Sequence, residues 1–197
     1  AVLDEVNFSL YQGERVALMG DNGAGKTTLL HLLVGLKKPL AGQVIAFGAA
    51  RDSEKSFVEV RTQAGFLFQD PDDQLFCPTV LEDVMFGPLN LGLSRHEAKV
   101  RAEQVLQQLG LADFASRVTH QLSGGEKRMI SLASVLAMTP KVLLLDEPTN
   151  ALDTAARQRL IDTLKGLPQA MLIVSHDHDF LAQISTRSVA LTNGKLS

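Results

Sequence analysis

The segment that most restricts the fold is a glycine-rich run at positions 20–27, Gly-Asp-Asn-Gly-Ala-Gly-Lys-Thr. It follows the apolar run 16–19 and precedes a helical pattern over 26–36, which predicts a strand, a tight loop and a helix in succession. The glycines let consecutive backbone N–H groups point at phosphate oxygens, and the helix start adds partial positive charge. An ordinary glycine-rich turn is the alternative, which this placement disfavours. The predicted phosphate-binding residues are Asn22, Gly23, Ala24, Gly25, Lys26, Thr27 and Thr28.

Short apolar runs alternate with helical segments in the outer parts of the chain, which predicts an α/β fold with a mainly parallel sheet. The first ten residues also have a strand-like pattern, and an Asn-Gly pair at 193–194 predicts a hairpin turn. We expect further chain beyond both ends. The expected strands cover 16–19, 44–47, 66–68, 142–145, 171–174 and 189–191, and the expected helices 26–36, 154–165 and 177–184.

The middle third of the chain shows helical spacing and no convincing strand. Ser94 and Glu97 form a capping box for a helix that is expected to stop at Gly110, and a second amphipathic helix is expected to start near Gly125. We therefore predict a core built from 1–70 and 139–197, interrupted by a helical subdomain over 71–138.

Two adjacent carboxylates, Asp146 and Glu147, end the apolar run 142–145. Neighbouring strand residues face opposite ways, so the two can act differently. We expect Lys26 to reach the β- and γ-phosphates, with Thr27 and Asp146 serving Mg²⁺ and Glu147 polarising the attacking water. The alternative, a solvated strand end before a turn at Pro148, loses weight because the phosphate loop is present.

Polar side chains also follow two other expected strands. Gln69 comes after 66–68 and His176 after 171–174, so both are expected in the same crevice, where a histidine can hydrogen-bond a transferring phosphoryl group. His176 and His178 could form a metal pair, but no third ligand is evident.

The run Leu-Ser-Gly-Gly-Glu at 122–126, called here the signature segment, opens a helix. Ser123, Gly124 and Gly125 could therefore form a second anion-receptive helix start. A serine cap with glycine neighbours is common, so simple helix capping is the alternative.

Composition narrows the class of protein. Nineteen Lys and Arg against 22 Asp and Glu give a net charge of −3, so we expect no nucleic-acid partner. No apolar stretch approaches the ~20 residues that cross a bilayer. The single cysteine, Cys77, excludes an intrachain disulfide, which favours a reducing compartment such as the cytoplasm.

In order and spacing, these residues resemble the nucleotide-binding subunit of ABC transporters over nearly the whole chain. The run 20–27 is similar to the Walker A loop, Gln69 to the Q-loop glutamine, 122–126 to the signature, 143–147 to Walker B, 151–153 to the D-loop and His176 to the switch histidine. The resemblance implies a RecA-like P-loop NTPase core with an inserted helical subdomain. It also implies Mg-ATP as ligand, with Thr27, Gln69 and Asp146 as metal ligands and Glu147, His176 and Gln69 as catalytic residues.

The resemblance further implies a head-to-tail dimer, homomeric or heteromeric. Each ATP would lie between the Walker A loop of one subunit and Ser123, Gly124 and Gly125 of the other. Hydrolysis would drive integral membrane subunits, with the chain bound at the cytoplasmic face of the membrane. The run 68–76, Phe-Gln-Asp-Pro-Asp-Asp-Gln-Leu-Phe, is most similar to the cobalt/nickel and energy-coupling-factor importers, so import of cobalt, nickel or a related micronutrient is expected.

Two departures from the family pattern bear on activity. Glu126 replaces the usual glutamine of the signature and adds a negative charge. The aromatic residue that stacks on adenine would lie upstream of the expected strand 2–8, and Tyr11, beside a turn at Gln12 and Gly13, is a poor substitute.

Two other functions remain open. A soluble ABC-type ATPase acting on nucleic acid or ribosomes would carry coiled-coil inserts or a second cassette. A regulatory module without hydrolysis would usually lose Glu147 or His176. A GTPase is disfavoured because no Asn-Lys-x-Asp motif is present.

Overall fold

The computed structural model describes residues 2–197, so Ala1, the first residue of the predicted core segment, lies outside the described residues. The strands are β1 (Arg15–Met19), β2 (Val44–Ala46), β3 (Ala49–Arg51), β4 (Ala64–Leu67), β5 (Val142–Asp146), β6 (Ala170–Val174), β7 (Arg187–Thr192) and β8 (Lys195–Leu196). The helices are α1 (Lys26–Leu33), α2 (Glu54–Arg61), α3 (Val80–Asn90), α4 (Arg95–Gln108), α5 (Gly124–Ala137), α6 (Thr154–Gly166) and α7 (His178–Ile184).

Six of the strands in residues 2–197 form one sheet in the order β4-β5-β6-β1-β7-β8. The first five run parallel, and β8 pairs antiparallel with β7 through the predicted turn at Asn193 and Gly194, both of which have positive φ. Parallel strands covered on both faces are wholly apolar, as the buried residues of β6 illustrate. The predicted α/β fold with a mainly parallel sheet is therefore confirmed.

Successive residues of the central strands point into two different apolar layers. In β5, Leu143 and Leu145 face the layer that packs α3 to α7 against the sheet, whereas Leu144 faces the layer that packs α1 and α2. This alternation follows from the two-residue period of a strand. The sheet is thus a buried platform, and the strand ends are its accessible parts.

Residues 2–10 contain no strand, contrary to the sequence prediction. The Asp4 N–H donates to the Gly194 carbonyl at 2.8 Å, but Leu3, Val6 and Phe8 are fixed mainly by packing on the α1 side of the sheet. Apolar residues in that spacing can pack against a sheet without pairing with one of its strands, which explains the error.

The structure differs from the sequence prediction at three other places. Helix α1 ends at Leu33 rather than 36, because Gly35 adopts a φ of +74°. The predicted strand 44–47 is part of a separate hairpin with β3, and α2 was not predicted.

Helices α3, α4 and α5 pack against one another, and each starts with a capping box. The boxes pair Thr79 with Glu82, Ser94 with Glu97, and Ser123 with Glu126. Each box satisfies helix-start N–H groups through two reciprocal hydrogen bonds. These starts are therefore fixed by their own sequence.

Candidate functional site

A cavity of about 510 Å³ opens at the carboxyl ends of β1, β4, β5 and β6. Such ends of a parallel sheet are the usual place for a ligand crevice. The structure therefore brings the phosphate loop together with the predicted polar residues from three other strand ends. The lining residues are Val2, Asn22, Gly23, Gly25, Lys26, Thr27, Thr28, Gln69, Asp146, Glu147, Asn150, Val174 and His176.

The loop before α1 depends on its glycines. Gly20, Gly23 and Gly25 all have positive φ, and a Cβ on Gly20 would lie 2.3 Å from the Leu191 carbonyl oxygen. Gly25 caps α1 without any side-chain hydrogen bond, and the first turn contains no acidic residue. The start of α1 is therefore left to an external anion.

Ala24 is the one predicted loop residue that does not line the cavity. Its N–H donates to the Asp21 carbonyl at 3.1 Å, and its side chain packs on the apolar layer under α1. Its contribution to the loop is therefore structural in this conformation.

The ammonium of Lys26 lies inside the curve of the loop. The side chain is 7% exposed, and Nζ donates to the carbonyls of Gly20 at 2.5 Å and Asp21 at 2.9 Å. A buried cation beside open helix-start N–H groups produces a site for an anion.

Asp146 lies below the loop and is 1% exposed. Its Oδ1 has no hydrogen-bond partner among residues 2–197. Burial raises the pKa of the carboxyl, opposed by a hydrogen bond from Thr27 and by the charges of His31 and Lys26. An unpartnered buried carboxylate oxygen near a threonine hydroxyl fits a hard cation such as Mg²⁺.

Residues 2–197 contain no group of three or more His, Cys, Asp and Glu side chains placed to hold a metal. A magnesium ion would therefore depend on Asp146, Thr27 and Gln69 together with phosphate oxygens, which is how Mg²⁺ is commonly held.

Glu147 lies on the cavity wall next to His176. It adopts φ +49°, and its N–H donates to the Val174 carbonyl at 2.8 Å. One carboxylate oxygen accepts the His176 N–H at 3.3 Å, and the other lies 3.4 Å from His176 Nε2. Burial raises the pKa of Glu147, opposed by the His176 N–H. The site thus contains a carboxyl group suited to accept a proton from water.

His176 is the accessible member of this pair, with 54% of its side chain exposed. The adjacent Asp177 forms a bidentate ion pair with Arg157 at 2.6 and 2.7 Å and caps α7. Asp177 is therefore committed to structure, and His176 is the residue of the 176–178 run that faces both Glu147 and the cavity.

Gln69 reaches the cavity from an irregular segment after β4. The carbonyls of Phe68 and Gln69 both accept hydrogen bonds from Arg128 on α5. Arg128 was missed in the sequence because an arginine in an amphipathic helix is usually exposed. Asn150 was also missed, although its place just after the carboxylate pair was a usable signal.

The signature segment lies away from the cavity. Gly124 and Gly125 are next to Ala151. A Cβ added to Gly124 would lie 3.3 Å from the Ala151 Cβ, and a Cβ added to Gly125 would lie 3.2 Å from the Ala151 carbonyl oxygen. The structure therefore does not bring Ser123, Gly124 and Gly125 together with Lys26 within one chain.

Glu126, which stands where the signature usually has glutamine, forms specific contacts. Its carboxylate accepts the Ser123 N–H at 2.7 Å and pairs with Arg117 at 3.2 Å. The hydrogen bond from the Ser123 N–H is the largest cause of its lowered pKa, and the charge of Arg117 lowers the pKa further. The added charge is thus partly compensated within the chain.

Tyr11 does not line the cavity. It is 67% exposed, and it lies in a turn in which its N–H and carbonyl bond to Glu14. None of the helices in residues 2–197 is long and apolar enough to span a membrane.

Comparison with known proteins gives consistent matches. The family profile described as ABC transporter matches residues 3–150. A Brucella suis protein, whose name describes it as an ABC transporter ATP-binding protein, is 57% identical over 195 residues, covering 99% of this chain and 81% of its own. A cobalt import ATP-binding protein of Rhodobacter capsulatus is 44% identical over 198 residues, covering 98% and 71%.

Solved structures agree with these relatives. A Clostridium perfringens protein, titled part of the ABC transporter complex cbiONQ, has a TM-score of 0.87 at 34% identity, covering all of this chain and 80% of its own. A dimeric ATP-binding cassette in a post-hydrolysis state, bound to ADP and phosphate, has a TM-score of 0.91 at 29% identity, covering 100% and 88%.

Proposed function

The chain belongs to the ABC transporter family of ATPases, and on that premise we propose that it powers a membrane importer for cobalt, nickel or a related micronutrient. The observation that carries the proposal is the cavity in which Lys26, Asp146, Glu147 and His176 meet below an uncapped helix start. The choice of substrate class is supported by the cobalt import relative and by the likeness of 68–76 to that group.

Binding of ATP begins at the phosphate loop. The backbone N–H groups at the start of α1 receive the phosphates, and Lys26 exchanges its two carbonyl partners for the β- and γ-phosphates. Thr27, Asp146 and Gln69 would hold Mg²⁺, which neutralises charge on the β- and γ-phosphate oxygens when bound. These residues offer oxygen ligands to the ion, and one of these atoms, Asp146 Oδ1, has no hydrogen-bond partner among residues 2–197.

Hydrolysis then depends on Glu147. The carboxylate orients the attacking water and accepts its proton while the γ-phosphorus bond to the bridging oxygen breaks and ADP leaves. His176, 3.4 Å from Glu147, hydrogen-bonds the transferring phosphoryl group. Both residues contact the reacting atoms, so we assign them as catalytic.

Residues 71–138 form the signature subdomain in this proposal, with 1–70 and 139–197 as the ATP-binding core. Ser123, Gly124 and Gly125 complete the site of a second ATPase subunit in a head-to-tail dimer. Two observations support this: the signature segment lies outside its own cavity, and a similar cassette has a dimeric structure.

An exposed aromatic pair is the proposed contact with an integral membrane subunit, which would place the chain at the cytoplasmic face of the membrane. Phe76 is 62% exposed and Phe86 43%, and their rings meet edge to face at 4.7 Å. Phe76 lies seven residues after Gln69, at the end of the run 68–76. An apolar partner helix on this pair would therefore contact the chain next to the ATP cavity.

Co-purification tests this contact. Phe76→Ser combined with Phe86→Ser is expected to abolish capture of the membrane subunits and cobalt or nickel uptake, while ATP hydrolysis by the isolated subunit continues. Leu40→Ser, at a side chain that is 97% exposed elsewhere on the surface, is the control. Full uptake by the double variant would contradict the assignment.

Glu147→Gln is the direct test of hydrolysis. The amide keeps the shape of the side chain but cannot accept the proton, so ATP binding should persist while turnover falls by about 100-fold or more. The control is Glu14→Gln, at the opposite end of β1, which should retain turnover. Near wild-type hydrolysis by Glu147→Gln would remove the catalytic assignment.

A further inference from the structure

Side chains, together with a single 3₁₀ turn at Pro71–Asp73, fix the segment 68–74 that carries Gln69. Strand β4 ends at Leu67, and the next two residues have no regular structure. The Phe68 N–H donates to Gln74 Oε1 at 3.3 Å, and the Phe68 and Gln69 carbonyls both accept from Arg128. The backbone on each side of the Gln69 side chain is therefore held by two side chains, Gln74 within the segment and Arg128 outside it.

Arg128 is unusual for a buried cation. It is 2% exposed, its Nε has no hydrogen-bond partner, and among residues 2–197 it forms no ion pair within 4.0 Å. Burying a guanidinium is costly unless its remaining donors are well satisfied. The Phe68 and Gln69 carbonyls satisfy two of its N–H donors, and the charges of Asp70, Asp146 and Glu147 also favour the charged guanidinium. The position of the guanidinium and the position of the Gln69 backbone therefore depend on each other.

Helix α5 holds the same segment at two more points. Gln74 Nε2 donates to the Ser131 carbonyl at 3.1 Å and contacts Ser134 Oγ at 3.3 Å, and Lys127 pairs with Asp72 at 2.6 Å. Arg128 lies five residues after Ser123, about 7.5 Å along the helix axis. A displacement of the α5 start would therefore carry the Gln69 segment with it.

We propose that Arg128 is a positioning residue that holds Gln69 in the ATP cavity and ties its placement to the start of α5. The inference rests on the proposed function, because Gln69 matters to hydrolysis only if the cavity binds Mg-ATP. In consequence, the signature end of α5 and the Gln69 end of the cavity move as one unit. The side chain that joins them, Arg128, contacts neither nucleotide nor metal.

Hydrogen–deuterium exchange tests the tie without requiring any activity. Arg128→Met keeps the volume of the side chain but removes both carbonyl bonds, so amides over 68–74 should exchange at least about tenfold faster in the nucleotide-free chain. Arg128→Lys, which can hold one carbonyl at a time, should give an intermediate rate. Unchanged exchange over 68–74 in Arg128→Met would overturn the proposal.

A double-mutant cycle tests whether Arg128 acts through Gln69. Arg128→Met should lower kcat about tenfold and change the ATP Kd by less than about threefold, with partial recovery in Arg128→Lys. In a Gln69→Ala background the same substitution should lower kcat by less than about twofold. Equal effects in the two backgrounds would overturn the positioning role.

Arg15→Met is the matched control. Arg15 also donates to two backbone carbonyls, those of Lys165 at 3.1 Å and Leu167 at 2.8 Å, but at the opposite end of the sheet. It should keep kcat and the exchange of 68–74 unchanged. A wild-type chain that fails to hydrolyse ATP would contradict the proposed function, whereas the exchange measurement would still decide whether Arg128 holds the segment.

Discussion

Helix α1 follows a glycine and helix α5 opens with two, yet the structure gives the two helix starts different environments. Helix α1 begins at Lys26 after the left-handed Gly25, with no side-chain cap and no acidic residue in its first turn. Helix α5 begins after Ser123 with a complete capping box to Glu126, which also pairs with Arg117. One start is open, and the other is satisfied by its own side chains.

This difference shows that glycine content alone does not identify an anion site. Open N–H groups and a buried lysine favour an anion at α1. At α5 the carboxylate of Glu126 already occupies the positive end of the helix dipole, so a phosphate would meet a neighbouring negative charge. We therefore expect α1 to bind phosphates within one chain, and α5 to do so only in a dimer whose partner provides the rest of the site.

The largest expected effect comes from removing the cation at the open start. Lys26→Met loses charge-assisted hydrogen bonds to phosphate, so ATP affinity should fall by about 10- to 100-fold in calorimetry. Lys55→Met, which removes an exposed lysine from the first turn of α2, is the control and should change affinity by less than about threefold. Equal losses in both variants would break the distinction between an open and an ordinary helix start.

The next effect concerns the dimer. Ser123→Arg places a bulky cation at the capped start, so ATP-dependent dimerisation should be lost in a Glu147→Gln background, as measured on a sizing column. Ser94→Arg removes the corresponding capping box from α4 and should leave the dimer intact. A Ser123→Arg chain that still dimerises with ATP would contradict the head-to-tail arrangement.

A smaller effect separates capping from binding. Ser123→Ala and Ser94→Ala each remove one N-cap hydrogen bond, so each should lower the free energy of unfolding by about 1 kcal/mol in urea titrations. If Ser123 also contacts nucleotide in the dimer, only Ser123→Ala should weaken ATP-dependent dimerisation as well. Identical behaviour of the two variants in both measurements would leave Ser123 with a capping role alone.

The smallest effect is at the compensating arginine. Arg117 and Glu126 are both partly exposed, and Arg117 also stacks over the Phe114 ring at 3.9 Å. Arg117→Met should cost about 0.2–1 kcal/mol of stability at low salt, and the difference should shrink as salt is added. A salt-independent loss would show that the stacking contact, rather than the charge, holds Arg117 in place.

The sequence predicted those parts of the fold that depend on short-range patterns. The Ser94–Glu97 box marked the start of α4 because a capping box is a local interaction, and the apolar runs marked the central strands because burial on both faces leaves no polar position. Helix α2 was missed because its eight residues bury only Phe57 and Val60 and leave Val58 exposed, so no clear period emerges.

The candidate site was predictable to the same degree. Gln69, Glu147 and His176 follow strands and Asp146 ends one. Parallel strands place their carboxyl ends at one edge of the sheet, so the convergence of these residues could be expected from the sequence. Arg128 could not be found in this way. Its contact with the Gln69 carbonyl joins residues 59 positions apart and depends on how α5 lies against β4, which no local pattern specifies.

The strand order also bears on how the chain acquires its fold during synthesis. Strand β1 lies between β6 and β7, so Leu18 pairs with Val174 on one side and Val189 on the other. A ribosome adding about 5–20 residues per second would release β1 on the order of 10–30 s before either neighbour exists. Helices α3 to α5, whose contacts are closer in sequence, can pack during that interval. The phosphate loop would therefore gain its supporting sheet only when synthesis nears the last strands, and nucleotide can assist only the final step of folding.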